Sequence, residues 1–366
     1  MQTVTTSPTV FRLASRLDEI GFSDIVNIRN RIMKLRASGA TVYQFEGGEP
    51  YMNTPDFIKE AMSRAVQENK TRYAPSSGIP ELRAAIATKL RDKNLIPAED
   101  KDVIVLNGGM QGLFGAFQSV VNPGDEVLIF SPYWTPIKDL VYHCQGKPIL
   151  VATSEARRDG FEATLARYAT ERTRAIYFNT PQNPTGIVFT PDEAHAVARF
   201  VQERELVVIA DEAYEDLVYD GAHFSIASIE GMFERTITCF TFSKSYAMTG
   251  WRLGYAVATE PWMTGLKKAT LYSSNGVSTP TQWAALAKLT ETGPRTGVFA
   301  GSVNTAPAVP EPVSFEVREQ KVLQIKSSFS SVEDNSTALA GDPPPLVERP
   351  KPKAVDSAFL ARKQNE

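Results

Sequence analysis

Between residues 101 and 260 the chain alternates short apolar runs with helix-forming stretches, and this alternation restricts the fold more than any other feature. The runs are 103–106, 126–130, 148–151, 174–178, 206–210, 236–240 and 254–258. A run that is apolar at nearly every position is buried on both faces, as strands of a helix-covered parallel sheet are. The predicted fold is therefore α/β, a doubly wound and mostly parallel sheet with helices on both faces. In such sheets ligands sit in the crevice outside the carboxyl ends of the strands, so the loops that follow the runs are where chemistry is sought.

Outside that region the sequence predicts helices over 25–37, 81–90, 261–271 and 281–289, and a strand-like run over 42–45. Thr54 is read as an N-cap with Pro55 at the first position of a helix to about Asn69. After Gly293 the composition shifts. Pro307, Pro310 and Pro312 lie close together, and Pro343 to Pro345 and Pro350 to Lys353 disfavour helix, so 293–366 is read as a largely disordered tail. Within it, 315–325 forms at most a short element with no evident partner.

At 366 residues the chain can bury a large core, and a net charge of -3 gives no electrostatic case for nucleic acid or an anionic membrane. No apolar run approaches membrane-spanning length. Cys144 and Cys239, the two cysteines, make neither a zinc set nor a disulfide framework and read as small buried hydrophobes. Residues 1–17 carry Arg12, Arg16, several hydroxyls and no acid, a faint likeness to a transit peptide without a secretory apolar core. The expected location is cytoplasmic.

The chemistry-bearing stretch is 241–255, where Lys244 stands between Ser243 and Ser245 with Arg252 eight residues on. Desolvation beside a second cation lowers a lysine pKa and makes the amine a nucleophile, and a guanidinium fork suits phosphate. An amine able to condense with a carbonyl, near a phosphate-binding arginine, suggests pyridoxal phosphate; a surface lysine beside an arginine is the plainer alternative. Other strand ends supply further groups. Asn107-Gly108-Gly109-Met110 opens a helix directly after a strand, which either cradles a phosphate on free N–H groups or is only a tight turn. Trp134, the rigid loop around Asn183, and Asp211 with Tyr214 follow three more strands.

In combination, Gly48-Glu49-Pro50, Tyr73-Ala74-Pro75, Asn183-Pro184-Thr185-Gly186, Asp211-Glu212-Ala213-Tyr214 and Ser243-Lys244 followed by Gly250-Trp251-Arg252-Leu253-Gly254 resemble the class I/II aminotransferases, fold-type I enzymes dependent on pyridoxal phosphate (PLP). The resemblance covers roughly residues 20 to 290. It implies a PLP-binding domain over 46–292, with 1–45 as an N-terminal segment and part of a small domain. It implies transamination between an L-amino acid and a 2-oxo acid through a Schiff base on Lys244, which also moves protons. Asp211 would pair with the pyridine nitrogen, and Tyr214 and Asn183 would bind the phenolic oxygen. Trp134 would stack on the ring. Gly109, Met110, Ser243 and Arg252 would hold the phosphate, and Tyr73 would reach the phosphate of a neighbouring subunit in a homodimer. Gly48, with Trp134 and Asn183, would border the substrate. In the family a C-terminal small domain carries an arginine for the substrate α-carboxylate. Arg295, Arg318, Arg349 and Arg362 have surroundings too irregular to receive that role, so the tail is expected to replace that domain. Two other readings stay open: a β-lyase on the same cofactor frame, and a PLP-binding protein with impaired catalysis.

Overall fold

A computed structural model of the chain describes residues 13–290, apart from positions 23 and 45. The tail over 293–366, its segment 315–325 and its four arginines lie outside the described residues.

Seven strands form one sheet: β1 (Val103–Leu106), β2 (Glu126–Ser131), β3 (Lys147–Ala152), β4 (Thr173–Asn179), β5 (Val207–Asp211), β6 (Thr236–Thr241) and β7 (Gly254–Val257), in the spatial order β1-β7-β6-β5-β4-β2-β3. The helices are α1 (Asp24–Ala37), α2 (Asp56–Gln67), α3 (Pro80–Lys89), α4 (Gly109–Val120), α5 (Pro136–His143), α6 (Thr153–Asp159), α7 (Phe161–Tyr168), α8 (Pro191–Glu203), the one-turn α9 (Phe242–Ser245), α10 (Trp262–Leu271) and α11 (Thr279–Thr290).

Period-two alternation puts successive strand residues on opposite faces. Val127 and Ile129 pack with Leu113 and Phe117 of α4 and Leu266 of α10, whereas Leu128 and Phe130 pack with Leu165 of α7 and Val197 of α8. A third apolar cluster joins Val103, Val105, Phe240 and Tyr255 to Ile58 of α2, Leu82 and Ile86 of α3, and Ala284 of α11. Both faces are covered, as the apolar runs predict. Cys144 and Cys239 are buried free thiols. Among the described residues no helix is long and apolar enough to cross a membrane.

The sheet is mostly parallel, as expected, and two readings are corrected, the strand over 42–45 and the Thr54 cap. Strands β2 to β6 pair in parallel, but β7 is antiparallel to both β6 and β1. The 103–106 run therefore points the same way as the parallel group while pairing antiparallel with its neighbour. Residues 42–44 form no strand; they have no ladder partner among the described residues. Thr54 does not cap a helix, because α2 begins at Asp56 with Pro55 before it. Instead the Thr54 hydroxyl donates to the Ala247 carbonyl at 2.5 Å and accepts from Trp251 Nε1 at 3.0 Å, tying the 48–54 segment to the lysine loop. The helix expected over 25–37 is α1, and over 26–37 only its Ile32 is buried.

The reversal of β7 decides the site. Gly254 pairs with both Leu106 and Thr241, so the start of β7 lies at the same sheet edge as the carboxyl ends of β1 and β6. Residues 242–253 consequently remain at that edge.

Candidate active site

Lys244 sits in α9, one turn after the end of β6. Thr241 caps that turn by accepting from the Ser243 N–H at 3.1 Å, and the Thr241 and Ser243 hydroxyls are 2.9 Å apart. Lys244 Nζ donates to the Gly48 carbonyl at 2.5 Å. A Cβ added to Gly48 would stand 3.9 Å from Lys244 Nζ and 4.0 Å from the Tyr214 hydroxyl, so three of the sequence-predicted residues meet here. Burial lowers the Lys244 pKa; the Glu49 charge opposes this, and Arg252 and Arg29 add to it.

Tyr214 lies 5.8 Å below Lys244 Nζ, measured to the ring centre, and its hydroxyl accepts from Asn183 Nδ2 at 3.1 Å. Asn183 is set by a chain of bonds across the ends of β4 and β5. Its N–H donates to Asn179 Oδ1 at 2.8 Å, and Asn179 Nδ2 donates to the Asp211 carbonyl at 2.9 Å. Burial and the Asp211 charge raise the Tyr214 pKa, while the Asn183 bond opposes them.

Asp211 ends β5 and is buried. Burial pushes its pKa up to about 6, against the hydrogen bonds donated by Tyr177 at 2.7 Å and the Ala213 N–H at 3.2 Å. A buried carboxylate with so high a pKa asks for a cationic or protonated partner.

The turn after β1 makes an anion cradle. Gly108 has φ +80°, a value natural to glycine. A Cβ there would lie 2.6 Å from Arg252 Nη2, so the guanidinium rests on bare backbone. Gly109 starts α4, whose first turn carries no acidic side chain and whose preceding residue gives no side-chain cap. Unpaired N–H groups and the positive end of the helix dipole thus face the space beside Arg252. Gly254 closes the cradle from behind: its Cβ would meet the Gly108 carbonyl carbon and the Phe240 oxygen, each at 2.7 Å.

An anion cradle, a buried carboxylate and an amine of lowered pKa, all at one edge of the sheet, suit the phosphate, ring and aldehyde of pyridoxal phosphate. Met110 and Trp134 are half-buried and pack against the core beneath α4. Tyr73 is 95% exposed. Sequence reasoning missed Tyr177, Asn179 and Thr241. Tyr177 had one available signal: residues 177, 179, 209 and 211 share a face by register and period, which sets that phenol diagonally across from Asp211.

The profile of the family described as Aminotransferase class I and II matches residues 39–295. The probable aspartate/prephenate aminotransferase of Thermus aquaticus is 37% identical over 281 residues, 76% of this chain and 72% of that protein. The corresponding Aquifex aeolicus protein is 41% identical over 282 residues, 76% of this chain and 71% of its own length. Among solved structures, aspartate aminotransferase from Thermus thermophilus with maleate has a TM-score of 0.73 at 37% identity, covering 77% of this chain and 73% of its own. That from Rhizobium meliloti has a TM-score of 0.74 at 33% identity, covering 80% and 74%. The chain belongs to the class I and II aminotransferases. It is a PLP-dependent enzyme with the fold-type I architecture, and its substrates are amino acids and oxo acids.

Proposed function

We propose that this chain transfers an amino group between an L-amino acid and a 2-oxo acid, with Lys244 as the amine that joins to the cofactor's aldehyde. The observation that carries this reading is the meeting of Lys244 Nζ, the Gly48 carbonyl and the Tyr214 hydroxyl at the sheet edge where Asp211 is buried. Bound pyridoxal phosphate supplies an electrophilic aldehyde and a ring that withdraws electrons from the bond being broken.

The residues divide the remaining work. Asp211 would pair with the ring nitrogen and favour its protonated form, and Tyr177, donating to the carboxylate at 2.7 Å, fixes the group that would do so. Tyr214 and Asn183 place hydrogen-bonding groups at the phenolic oxygen. Gly109, Met110, Ser243 and Arg252 would hold the phosphate, and Trp134 would supply an aromatic face for the ring. Lys244 Nζ accepts a proton from the reacting carbon of the substrate and returns it. Its lowered pKa enlarges the share of neutral amine, the form that accepts a proton. Gly48 keeps the backbone close enough to border the substrate.

We take 46–292 as the cofactor-binding domain, with 1–45 contributing to a small domain, and the working form as a cytoplasmic homodimer in which Tyr73 completes the neighbour's phosphate site. Aspartate and prephenate, named for the relatives, are the first substrates to try. Mixing the cofactor-loaded protein with aspartate and 2-oxoglutarate should give oxaloacetate and glutamate, and Lys244→Ala should abolish both products. Release of ammonia and pyruvate from a β-substituted amino acid without any oxo acid would instead identify a β-lyase.

A further inference from the structure

Arg29 is not used by any step above. It lies on α1, and among the described residues it makes no ion pair, yet its guanidinium reaches the glycine pair beside the reactive amine. Its Nη2 is 3.3 Å from the point a Cβ on Gly47 would occupy. The next residue, Gly48, receives the Lys244 hydrogen bond at 2.5 Å, so a guanidinium and an amine flank the same dipeptide. Neither of the acids beside that glycine pair is bonded to Arg29, although the Glu49 charge is felt at Lys244. Glu46 Oε1 accepts from Gln44 Nε2 at 3.1 Å, and Glu46 Oε2 has no hydrogen-bond partner. Glu49 Oε1 accepts from the Thr249 hydroxyl at 2.5 Å. The Arg29 side chain is exposed, so a ligand arriving from solvent reaches it directly.

We propose that Arg29 binds a carboxylate of the substrate, with the Gly47-Gly48 backbone as the surface against which that carboxylate lies. The proposal rests on the transamination reading, since amino acids and oxo acids carry a carboxylate in both half-reactions. Arg252 is committed to the cradle at Gly108, which leaves Arg29 as the second guanidinium near Lys244. A planar fork takes a carboxylate through two parallel N–H···O bonds, which a lone ammonium does not. A glycine pair leaves room there that any side chain at 47 would fill. The Arg29 charge is also felt at Lys244, where it works with burial and Arg252 to lower the amine's pKa. A carboxylate that binds Arg29 therefore also offsets a cation near the amine at the moment the substrate arrives.

Two sources share this chemistry: the carboxylate next to the reacting carbon, and a second carboxylate at the far end of a dicarboxylic substrate. A spectral titration of the cofactor-loaded full chain distinguishes them. The probes are succinate and propionate at fixed ionic strength, against wild type, Arg29→Met and Arg29→Lys. Arg29→Met should weaken succinate binding by roughly tenfold to a hundredfold, the loss of one charge-assisted contact, with Arg29→Lys in between. An equal loss for propionate places the carboxylate next to the reacting carbon; a loss confined to succinate places it at the far end. Unchanged affinity for both probes in Arg29→Met, or no saturable binding of either by wild type, overturns the proposal. The transamination reading is judged separately, because product formation and its dependence on Lys244 are measured without either probe.

Discussion

At the scale of single residues, Asp211 is held in a state that opposes folding. Its pKa is raised to about 6, so the folded protein binds this proton more tightly than the unfolded chain does. Stability from this group is intact below about pH 4 and falls as pH rises through about 6, by roughly 3 kcal/mol in the cofactor-free protein. Asp211→Asn should therefore raise the melting temperature of the cofactor-free protein at pH 7 and leave it nearly unchanged at pH 4, while weakening cofactor binding. A variant that melts lower at both pH values would contradict this electrostatic account. Gly254 carries a steric constraint of a different kind. An added Cβ meets backbone atoms of Gly108, Gly109 and Phe240, whereas at Gly108 it meets the end of a flexible arginine. Gly254→Ala should cost on the order of 1–3 kcal/mol of folding stability from overpacking in denaturant unfolding, while Gly108→Ala carries the strain of its φ of +80°. Gly108→Ala should also act on cofactor affinity by displacing Arg252.

At the scale of elements, the loop after β5 is pinned by a buried ion cluster. Lys89 at the end of α3 donates to Glu215 Oε1 at 2.5 Å, Asn94 Nδ2 donates to Glu215 Oε2 at 2.8 Å, and Lys93 pairs with Asp216 at 2.5 Å. Burial alone would raise the Glu215 pKa, but Lys89 and Lys93 outweigh it and hold the carboxyl at about 2. On the other side of Tyr214, Glu212 accepts from the Ser225 hydroxyl at 2.6 Å and lies 2.7 Å from His223 Nε2. Lys89→Met leaves the buried Glu215 carboxylate with Lys93 at 3.4 Å as its remaining ammonium partner and should cost up to about 3–5 kcal/mol, whereas Lys89→Met with Glu215→Leu should recover most of it. The comparison is a pair of chemical denaturation curves; a double variant no better than the single one would contradict it.

The strands and their ligand-facing ends were legible because most of the apolar runs stop at a polar residue: Asn107 after four apolar residues, Asp211 after five. The direction of β7 was not, because strand direction depends on the connection and not on the run. Residues 242–253 stay at one edge, held by Thr241 and by the Phe242 N–H bond to the Leu253 carbonyl at 3.1 Å, and a return at one edge makes the next strand antiparallel. The Lys89–Glu215 pair was likewise hidden, since its partners are far apart in sequence and each reads as an ordinary surface charge. Arg29 gave no local signal at all: one cation among several on a helix becomes distinct only when the chain brings Gly47 to it.

At the scale of the whole molecule, a homodimer and a covalently held cofactor are proposed together. Tyr73 is exposed on its own subunit, as a side chain that serves a neighbour must be. A mixture of Tyr73→Ala and Lys244→Ala proteins, unfolded and refolded together, should recover transamination above either parent, because a hybrid dimer then holds one site with both residues intact. Activity no greater than the sum of the parents would mean that Tyr73 acts within its own subunit or not at all. The most direct measurement for the central claim is borohydride reduction of the cofactor-loaded protein, followed by digestion and mass spectrometry. The account predicts the mass of the reduced cofactor on the peptide bearing Lys244 and on no other lysine; its appearance elsewhere, or on no peptide, would contradict it.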